Sequence, residues 1–512
     1  MMNPYEIFVE PLTRYGFMRT GLMVAVIVGI TSATLSCLLV VRRSALLGDA
    51  ISHAVLLGVA LGWIAGRHVG IFWGALIVGI LTGLGVTYIE RNSRIKQDTA
   101  MGILLTFTFA LGLAIISIVE PPGIDLFHVL FGNVLGVSNS DLILTSVSGG
   151  LVLLVVIVLF KQFHLWSFDP TMAQAIGLPV RGLQYIFTAL LSATIVSALQ
   201  AVGLILVIAM LIIPGATAYL LSDRLAHMMF IAAGIGLLSA VGGLYGSYYV
   251  DVASGPSMVI FASLLFTVGF FFAPKQGLAV RALRRRRMMA RTLDEDILKE
   301  VYKTEVAGGA SSASAVAERI GRESQEVAEG MRRLVKGDLL TGSTGDLRVT
   351  GTGASQAMDL VRAHRLAEQY LSKVERLPLD ALHREAEIIE HSMSREEVEA
   401  LDRELGRPAT DPHGHPIPRR AEDLQLISGR PLTEAPLGQA GRIIMVLDDR
   451  EDLLREMSRV GLKPQATVTV LGRSDDTWQV QVGELEVPLA ADMAERVFVG
   501  TRAIDNNSAE YN

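Results

Sequence analysis

Residues 45–62 read ALLGDAISHAVLLGVALG, an apolar stretch that nevertheless carries Asp49 and His53. Their spacing of four places both side chains on one face of a helix. The stretch is apolar enough to lie within a membrane, where an ionisable group is costly and marks a function by default. The plainer alternative is a pair near the cytoplasmic end, just after Arg42 and Arg43, that only hydrogen-bonds a neighbouring helix. A carboxylate beside an imidazole suits Mn2+, Fe2+ or Zn2+ better than an organic solute. Two ligands from one helix hold a metal weakly, and weak binding is what a translocation path needs.

Outward from this stretch the chain divides in two. The first 280 residues hold only 23 charged side chains between long apolar runs, as bundled transmembrane helices do. The runs predict nine spans, near 18–41, 45–66, 69–89, 99–119, 141–161, 183–201, 203–222, 226–248 and 256–274. The segment 121–139 reads as a short re-entrant or interfacial piece. Basic residues cluster at Arg42–Arg43, at Arg91, Arg94 and Lys96, and in RALRRRR (281–287). The positive-inside rule puts all three in the cytoplasm, with the N-terminus outside and the C-terminal region inside. Cys37 is the only cysteine, so neither an internal disulfide nor a thiolate metal cluster can form. MMNPYEIFVEPLTRYGF lacks the basic n-region and short apolar core of a cleavable signal, and the first span is expected to insert and stay. From Arg281 onward the chain is charged and mixed. The acidic excess behind the net charge of −6 sits there, so the total says little about partners.

Between the fifth and sixth spans lies KQFHLWSFDPTMAQAIGLPVRG (161–182). Asp169 before Pro170 is a helix start, and Gly177 followed by Pro179 a stop, so a helix of about two turns is expected on the cytoplasmic face. By composition alone it is an ordinary interfacial helix. Further on, residues 291–350 read as three short helices and a hairpin, the pattern of a winged helix-turn-helix. Residues 351–405 read as two amphipathic helices. The segment 406–430 is a linker rich in Pro, Gly and Arg. Residues 431–500 switch to period-two strands (RIIMVL, TVTVLGR, TWQVQV, LEVPL), which predict a small β-barrel.

ALLGDAISHAVLLGVALG, SFDPTMAQAIGLPV, LQAVGLILVIAMLIIPGATA (199–218) and SGPSMVIFASLLFTVGFFFAPKQG (254–277) resemble, in register, the zinc/manganese/iron-type ABC transporter permeases. The resemblance covers nearly all of 10–278. It implies transport of a divalent transition metal, with Asp49 and His53 lining the path. It also implies a coupling helix at Phe168, Asp169, Pro170, Gly177, Leu178 and Pro179 that docks on a separate ATPase subunit. Leu57 departs from the family, which usually has proline there. No GxxxxGK[ST] motif occurs in the chain, so ATP hydrolysis would belong to another polypeptide and this chain would not be an enzyme. An extracytoplasmic metal-binding protein and a second permease copy or paralogous permease are implied as further partners, with membrane lipid around the spans.

In REAEIIEH, Glu387, Glu390 and His391 fall at i, i+3 and i+4 and share one helical face, and His364 and Glu368 form another such pair. A solvated acidic face is the bland reading. Two facing helices could instead close a site of carboxylates and imidazoles. VRAHRLAEQYL, ALHREAEIIEHSMSREEVEALDREL and PHGHPIP resemble the metal-dependent repressors of the diphtheria-toxin-repressor and manganese-repressor type. That resemblance covers 291–420, and the barrel fits the third domain of some members. It implies a regulatory metal site of Asp296, His364, Glu387, Glu390 and His391, with Glu368 and His383 in an ancillary site. Lys299 departs from it, standing where manganese-type members have a glutamate ligand, and His415 stands where asparagine is usual. Hard oxygen ligands with imidazole and no sulfur favour Mn2+, with Fe2+ or Zn2+ as alternatives. The expected recognition helix opens with Glu323, Glu326 and Glu329, which oppose phosphate contact, and Arg322, Arg332 and Arg333 offset only part of this. DNA is thus disfavoured as a partner.

The reading that follows is an α-helical polytopic protein of a bacterial cell (inner) membrane, with about nine spans in 1–280. A basic linker and winged helix occupy 281–350, a helical metal-binding/dimerisation domain with its linker 351–430, a small β-barrel 431–500, and a tail 501–512. Functionally it is a divalent-metal ABC permease subunit with a fused cytoplasmic sensor. The competing readings are a membrane-anchored metal-dependent repressor that has lost transport, and a channel or secondary transporter working without an ATPase.

Overall fold

A computed structural model describes residues 5, 9–119, 132, 134–306, 308–309, 311–343, 345–419, 429–447, 451–474 and 476–500. The chain forms two compact units, Met1–Arg284 and Arg285–Asn512. The tail 501–512, most of the 121–139 piece and part of the 406–430 linker lie outside the described residues.

In the first unit, nine helices among the described residues are long and apolar enough to cross a membrane. They are span 1 (Gly16–Val41), span 2 (Ala45–Ala65), span 3 (Gly70–Asn92), span 4 (Gln97–Val119), span 5 (Asn139–Val158), span 6 (Val180–Leu199), span 7 (Leu204–Leu221), span 8 (Leu225–Val250) and span 9 (Ser254–Phe272). Spans 1, 2 and 6 are the most enclosed, whereas spans 4, 5 and 9 present most of their apolar surface outward. Lipid tails are as apolar as leucine, so helix association relies on close backbone approach and buried polar contacts. Spans 2 and 3 fold against each other through glycines. A Cβ on Gly58 would stand 2.5 Å from the Gly74 carbonyl oxygen, and one on Gly74 2.4 Å from that of Gly58. Gly29 and Gly236 bring spans 1 and 8 together in the same way. Pro214 interrupts the hydrogen-bond ladder of span 7. There Ser36 Oγ of span 1 accepts from the Gly215 N–H at 3.0 Å and donates to the Ile212 carbonyl at 3.3 Å. This satisfies backbone groups that hydrocarbon could not.

The second unit begins within helix α1 (Leu278–Val306), so the basic run 281–287 is helical. Helices α2 (Ala313–Ile320) and α3 (Ser324–Lys336) and the hairpin β1 (Leu340–Ser343)–β2 (Asp346–Val349) follow. Ile297, Val301, Val316, Val327, Met331 and Leu334 close a core among them. The region 351–405 contains three helices rather than two: α4 (Gly351–Lys373), α5 (Leu379–Glu390) and α6 (Arg395–Glu404). The extra break arises at Ser394, whose hydroxyl accepts from Glu397 N–H while Glu397 reaches back to Ser394 N–H, a capping box that starts a new helix.

The last region is a six-stranded antiparallel sheet in the order β3-β8-β4-β5-β6-β7. These strands are β3 (Arg430–Pro431), β4 (Ala440–Val446), β5 (Thr467–Arg473), β6 (Thr477–Val482), β7 (Leu485–Ala490) and β8 (Val497–Gly500). The four strands expected from the sequence are β4 to β7. The sheet is not the closed barrel expected: among the described residues β3 and β7 remain its unpaired ends. Helix α7 (Glu451–Arg459) covers one face with Leu453, Leu454 and Met457. That cover removes the need for closure, because the apolar side of an open sheet can be buried by a helix instead.

Candidate metal centres

On span 2, His53 Nδ1 stands 3.2 Å from Asp49 Oδ1, both side chains about a quarter exposed. The i, i+4 spacing therefore does bring the two together. The same nitrogen lies 3.1 Å from the Asp49 carbonyl, which leaves Nε2 as the ring nitrogen for another ligand. The Phe109 ring of span 4 meets the imidazole edge-on at 5.4 Å. Gly112 lets span 4 approach here, since a Cβ on it would lie 2.7 Å from the Leu57 backbone nitrogen.

Asp169 caps the short helix Pro170–Ala175, accepting the Met172 N–H at 2.8 Å, and Gly177 turns the chain at φ 86°. Leu178 N–H closes the turn onto the Ala173 carbonyl. Phe168, Met172 and Ile176 recur every four residues and are each more than half exposed, an apolar stripe on a short polar segment. Its base is rigid: Phe163 and Trp166 are buried against Phe187, and the Arg42 guanidinium lies 4.2 Å over the Trp166 ring.

In the second unit, α1, α4, α5 and the loop after α6 carry three groups of metal-ligand type. The first joins Asp296, Glu390 and His391. His391 Nε2 is 3.1 Å from Asp296 Oδ1 and 3.6 Å from Glu390 Oε1, while Nδ1 is 2.7 Å from Glu295 Oε2. Burial would depress the His391 imidazole, but bonds from Asp296 and Glu295 outweigh it and raise its pKa to about 9. Lys299 Nζ lies 2.5 Å from Glu390 Oε1, with both groups buried. Burial alone would raise the Glu390 carboxyl. The His364 hydrogen bond and the Lys299 charge reverse this and hold it at about 2.

The second group is His364, Glu368 and His383. His364 bridges the two groups: Nδ1 is 2.5 Å from Glu390 Oε2, and Nε2 is 3.2 Å from Glu368 Oε1 and 2.9 Å from His383 Nδ1. Glu387 is set apart. Its side chain is half exposed and pairs with His383 Nε2 at 3.5 Å rather than with Glu390 or His391. It lies at a different angle on α5 from Glu390, whose side chain is fully buried.

The third group, Asp411, His413 and His415, was not assigned from the sequence. Asp411 Oδ1 accepts the His413 and His415 N–H groups at 2.9 Å each, and Oδ2 lies 3.1 Å from His415 Nδ1. His413 Nδ1 stands 3.4 Å from Glu368 Oε2, which ties this loop to the second group. Burial pushes the Glu368 carboxyl up, but His364, His383 and His413 hold it well below the usual range. His413 in turn is raised to about 9, as Glu368 outweighs its burial. The DPHGH pattern, with two histidines and an aspartate in five residues, was the available signal.

Carboxylate and imidazole donors without sulfur fit a hard or borderline divalent ion. On the α3 helix, Arg333, one of the residues offsetting its glutamates, is engaged by Asp294 at 2.7 Å.

Nine span-capable helices among the described residues, with an acid–imidazole pair on span 2 and clustered imidazoles and carboxylates in the second unit, describe a multi-pass membrane protein with donor groups of metal-ligand type in both units. Residues 14–273 match the model of the ABC 3 transport family, and the chain belongs to that family. Residues 350–419 match the iron dependent repressor, metal binding and dimerisation domain, and 430–500 the FeoA domain. The chain is 47% identical over 286 residues to the manganese transport system membrane protein MntC of Halalkalibacterium halodurans, covering 56% of this chain and 97% of the relative. It is 43% identical over 279 residues to the manganese import system permease protein ScaB of Streptococcus gordonii, covering 54% and 98%. A solved manganese-dependent transcriptional repressor complex with manganese aligns at 27% identity over 40% of this chain and 98% of that chain, with a TM-score of 0.36.

Proposed function

We propose that the chain is the permease subunit of a manganese ABC importer with a built-in cytoplasmic metal sensor. One observation carries this reading: a transport-family match over 14–273 and a metal-binding repressor-domain match over 350–419 occupy one polypeptide. The relatives' manganese transport supports Mn2+ as the cargo, with Fe2+ and Zn2+ as competitors. Asp49 and His53 offer a transient foothold on span 2. The stripe Phe168, Met172 and Ile176 offers a separate ATPase subunit an apolar ridge, and a binding protein delivers the metal from outside. A second permease copy or a paralogue completes the pore.

In this reading 1–280 carries transport, 281–350 is a basic linker and winged helix, 351–430 binds metal and 431–500 is the sheet domain, with everything beyond 280 in the cytoplasm. The winged helix acts in protein contact rather than on DNA. The regulatory ion would be held by Asp296, Glu390 and His391, with His364 and Glu387 adjoining, and by Glu368 and His383 at the ancillary position. When bound, it supplies charge that draws these helices together. Regulation follows only if metal binds one arrangement of the sensor more tightly than another. The test is uptake of Mn2+ by wild type and His53→Ala, with Fe2+ and Zn2+ in competition. Loss of uptake in the variant is expected, and unchanged uptake of all three would remove the span 2 site. A companion measurement follows ATPase activity of the reconstituted complex against cytoplasmic Mn2+. Indifference to the metal in wild type would remove the sensor role.

A further inference from the structure

We infer that Lys299 is a tethered competitor for the sensor metal, and that it sets the concentration at which the sensor responds. This rests on the reading of the second unit as a metal-responsive regulator. Lysine is almost never buried without a partner. Lys299 is buried, and its ammonium sits on Glu390 Oε1 at 2.5 Å, while His364 Nδ1 takes the other oxygen at 2.5 Å. Both Glu390 oxygens are therefore committed. Oε1 is also the oxygen that faces His391 Nε2, at 3.6 Å, and so belongs to the Asp296–Glu390–His391 group.

A divalent ion among these three residues needs that oxygen. It cannot share it with an ammonium, because two cations a few ångströms apart in a poorly solvated site repel strongly. Lys299 stands one turn beyond Asp296 on α1, so the competitor is delivered by the same helix as one of the ligands. It is always present at the site and cannot diffuse away. An ion enters only by driving the ammonium off Glu390, which weakens apparent affinity and moves the response to higher metal. For a regulator that restrains import, this delays restraint until cytoplasmic metal is abundant. Where the resemblance implies a carboxylate ligand, this chain has a cation that occupies the neighbouring one.

The experiment uses the full chain in detergent, titrated with Mn2+ at fixed pH and ionic strength. Free hexaaquo-Mn2+ is read by its electron paramagnetic resonance signal. The binding step belonging to this group is the one that Glu390→Gln abolishes. Lys299→Met is expected to tighten that step by at least about tenfold, since the opposing charge is gone. Lys299→Arg, which keeps the charge, is expected to leave it weak. Thermal unfolding of each variant, with and without Mn2+, checks that the protein is folded; a larger Mn2+-induced rise in Lys299→Met supports the same conclusion. The inference is overturned if Lys299→Met binds no tighter than wild type while Glu390→Gln still abolishes the step. It is equally overturned if the Arg variant gains as much as the Met variant. If Glu390→Gln removes no step in any background, the group holds no metal and the inference is overturned, while the sensor reading then stands or falls on the ATPase response to Mn2+.

Discussion

Glu368 is the carboxylate on which the second and third groups of the second unit converge, and replacing it with glutamine tests that geometry directly. Its side chain is buried, with His364 Nε2 at 3.2 Å, His413 Nδ1 at 3.4 Å and His383 Nδ1 at 3.5 Å. With His413 raised to about 9, the neutral-pH state pairs an imidazolium with a carboxylate inside the protein. Removing one member of a buried pair costs roughly 3–5 kcal/mol, because the other charge is left desolvated and uncompensated. At about 1.4 kcal/mol per decade, local opening of α4 and α5 should become roughly two to three and a half orders of magnitude more frequent. Hydrogen–deuterium exchange with mass spectrometry reads this on the intact chain, with a chelator present, in peptides from Gly351–Lys373 and Leu379–Glu390. The sign with pH is also determined. The folded pKa of His413 lies above its ordinary 6.5, so its contribution is present below pH 6.5 and lost as pH rises through about 9. The deficit of Glu368→Gln should shrink in that window. Glu387→Gln is the control: half exposed, it should change protection by less than about 1 kcal/mol. Protection in Glu368→Gln within about threefold of wild type, or equal to the control, would refute the reasoning.

Other outcomes follow from the same geometry. Gly58→Val should prevent spans 2 and 3 from packing, because its Cβ would meet the Gly74 carbonyl at 2.5 Å; loss of the monodisperse peak on size-exclusion chromatography checks this, and normal yield would contradict it. Mn2+ affinity at the first sensor group should rise from pH 6.5 towards pH 9, since His391, raised to about 9, must release its proton before it can ligate; a flat titration profile would oppose this. Phe168→Glu, at an exposed position of the stripe, should abolish co-purification with the ATPase subunit while leaving the melting temperature of the permease within about 2 °C. Retained co-purification would place the ATPase contact elsewhere.

The span positions, the Asp49–His53 pairing and the capped helix at Asp169–Gly177 were all legible in the sequence. Each depends on a local rule: the length needed to cross hydrocarbon, the four-residue period of a helix face, and the chemistry of a helix start and stop. The β-strands were legible from their alternation, whereas closure of their sheet was not. Closure depends on whether the end strands meet or a helix such as α7 covers the face, and alternation is silent on that choice.

The sensor shows the same division. Helical spacing put Glu387, Glu390 and His391 on one face, but the fold buries Glu390 and leaves Glu387 half exposed beside His383. It brings Lys299 from 91 residues away to Glu390, and His413 from 45 residues away to Glu368. The residue types and their local phase were determined by the sequence itself. Only the tertiary structure decided which charge meets which. A buried ion must find a counter-ion or pay its full desolvation, and that partner can come from any segment the core brings near, at no fixed spacing along the chain.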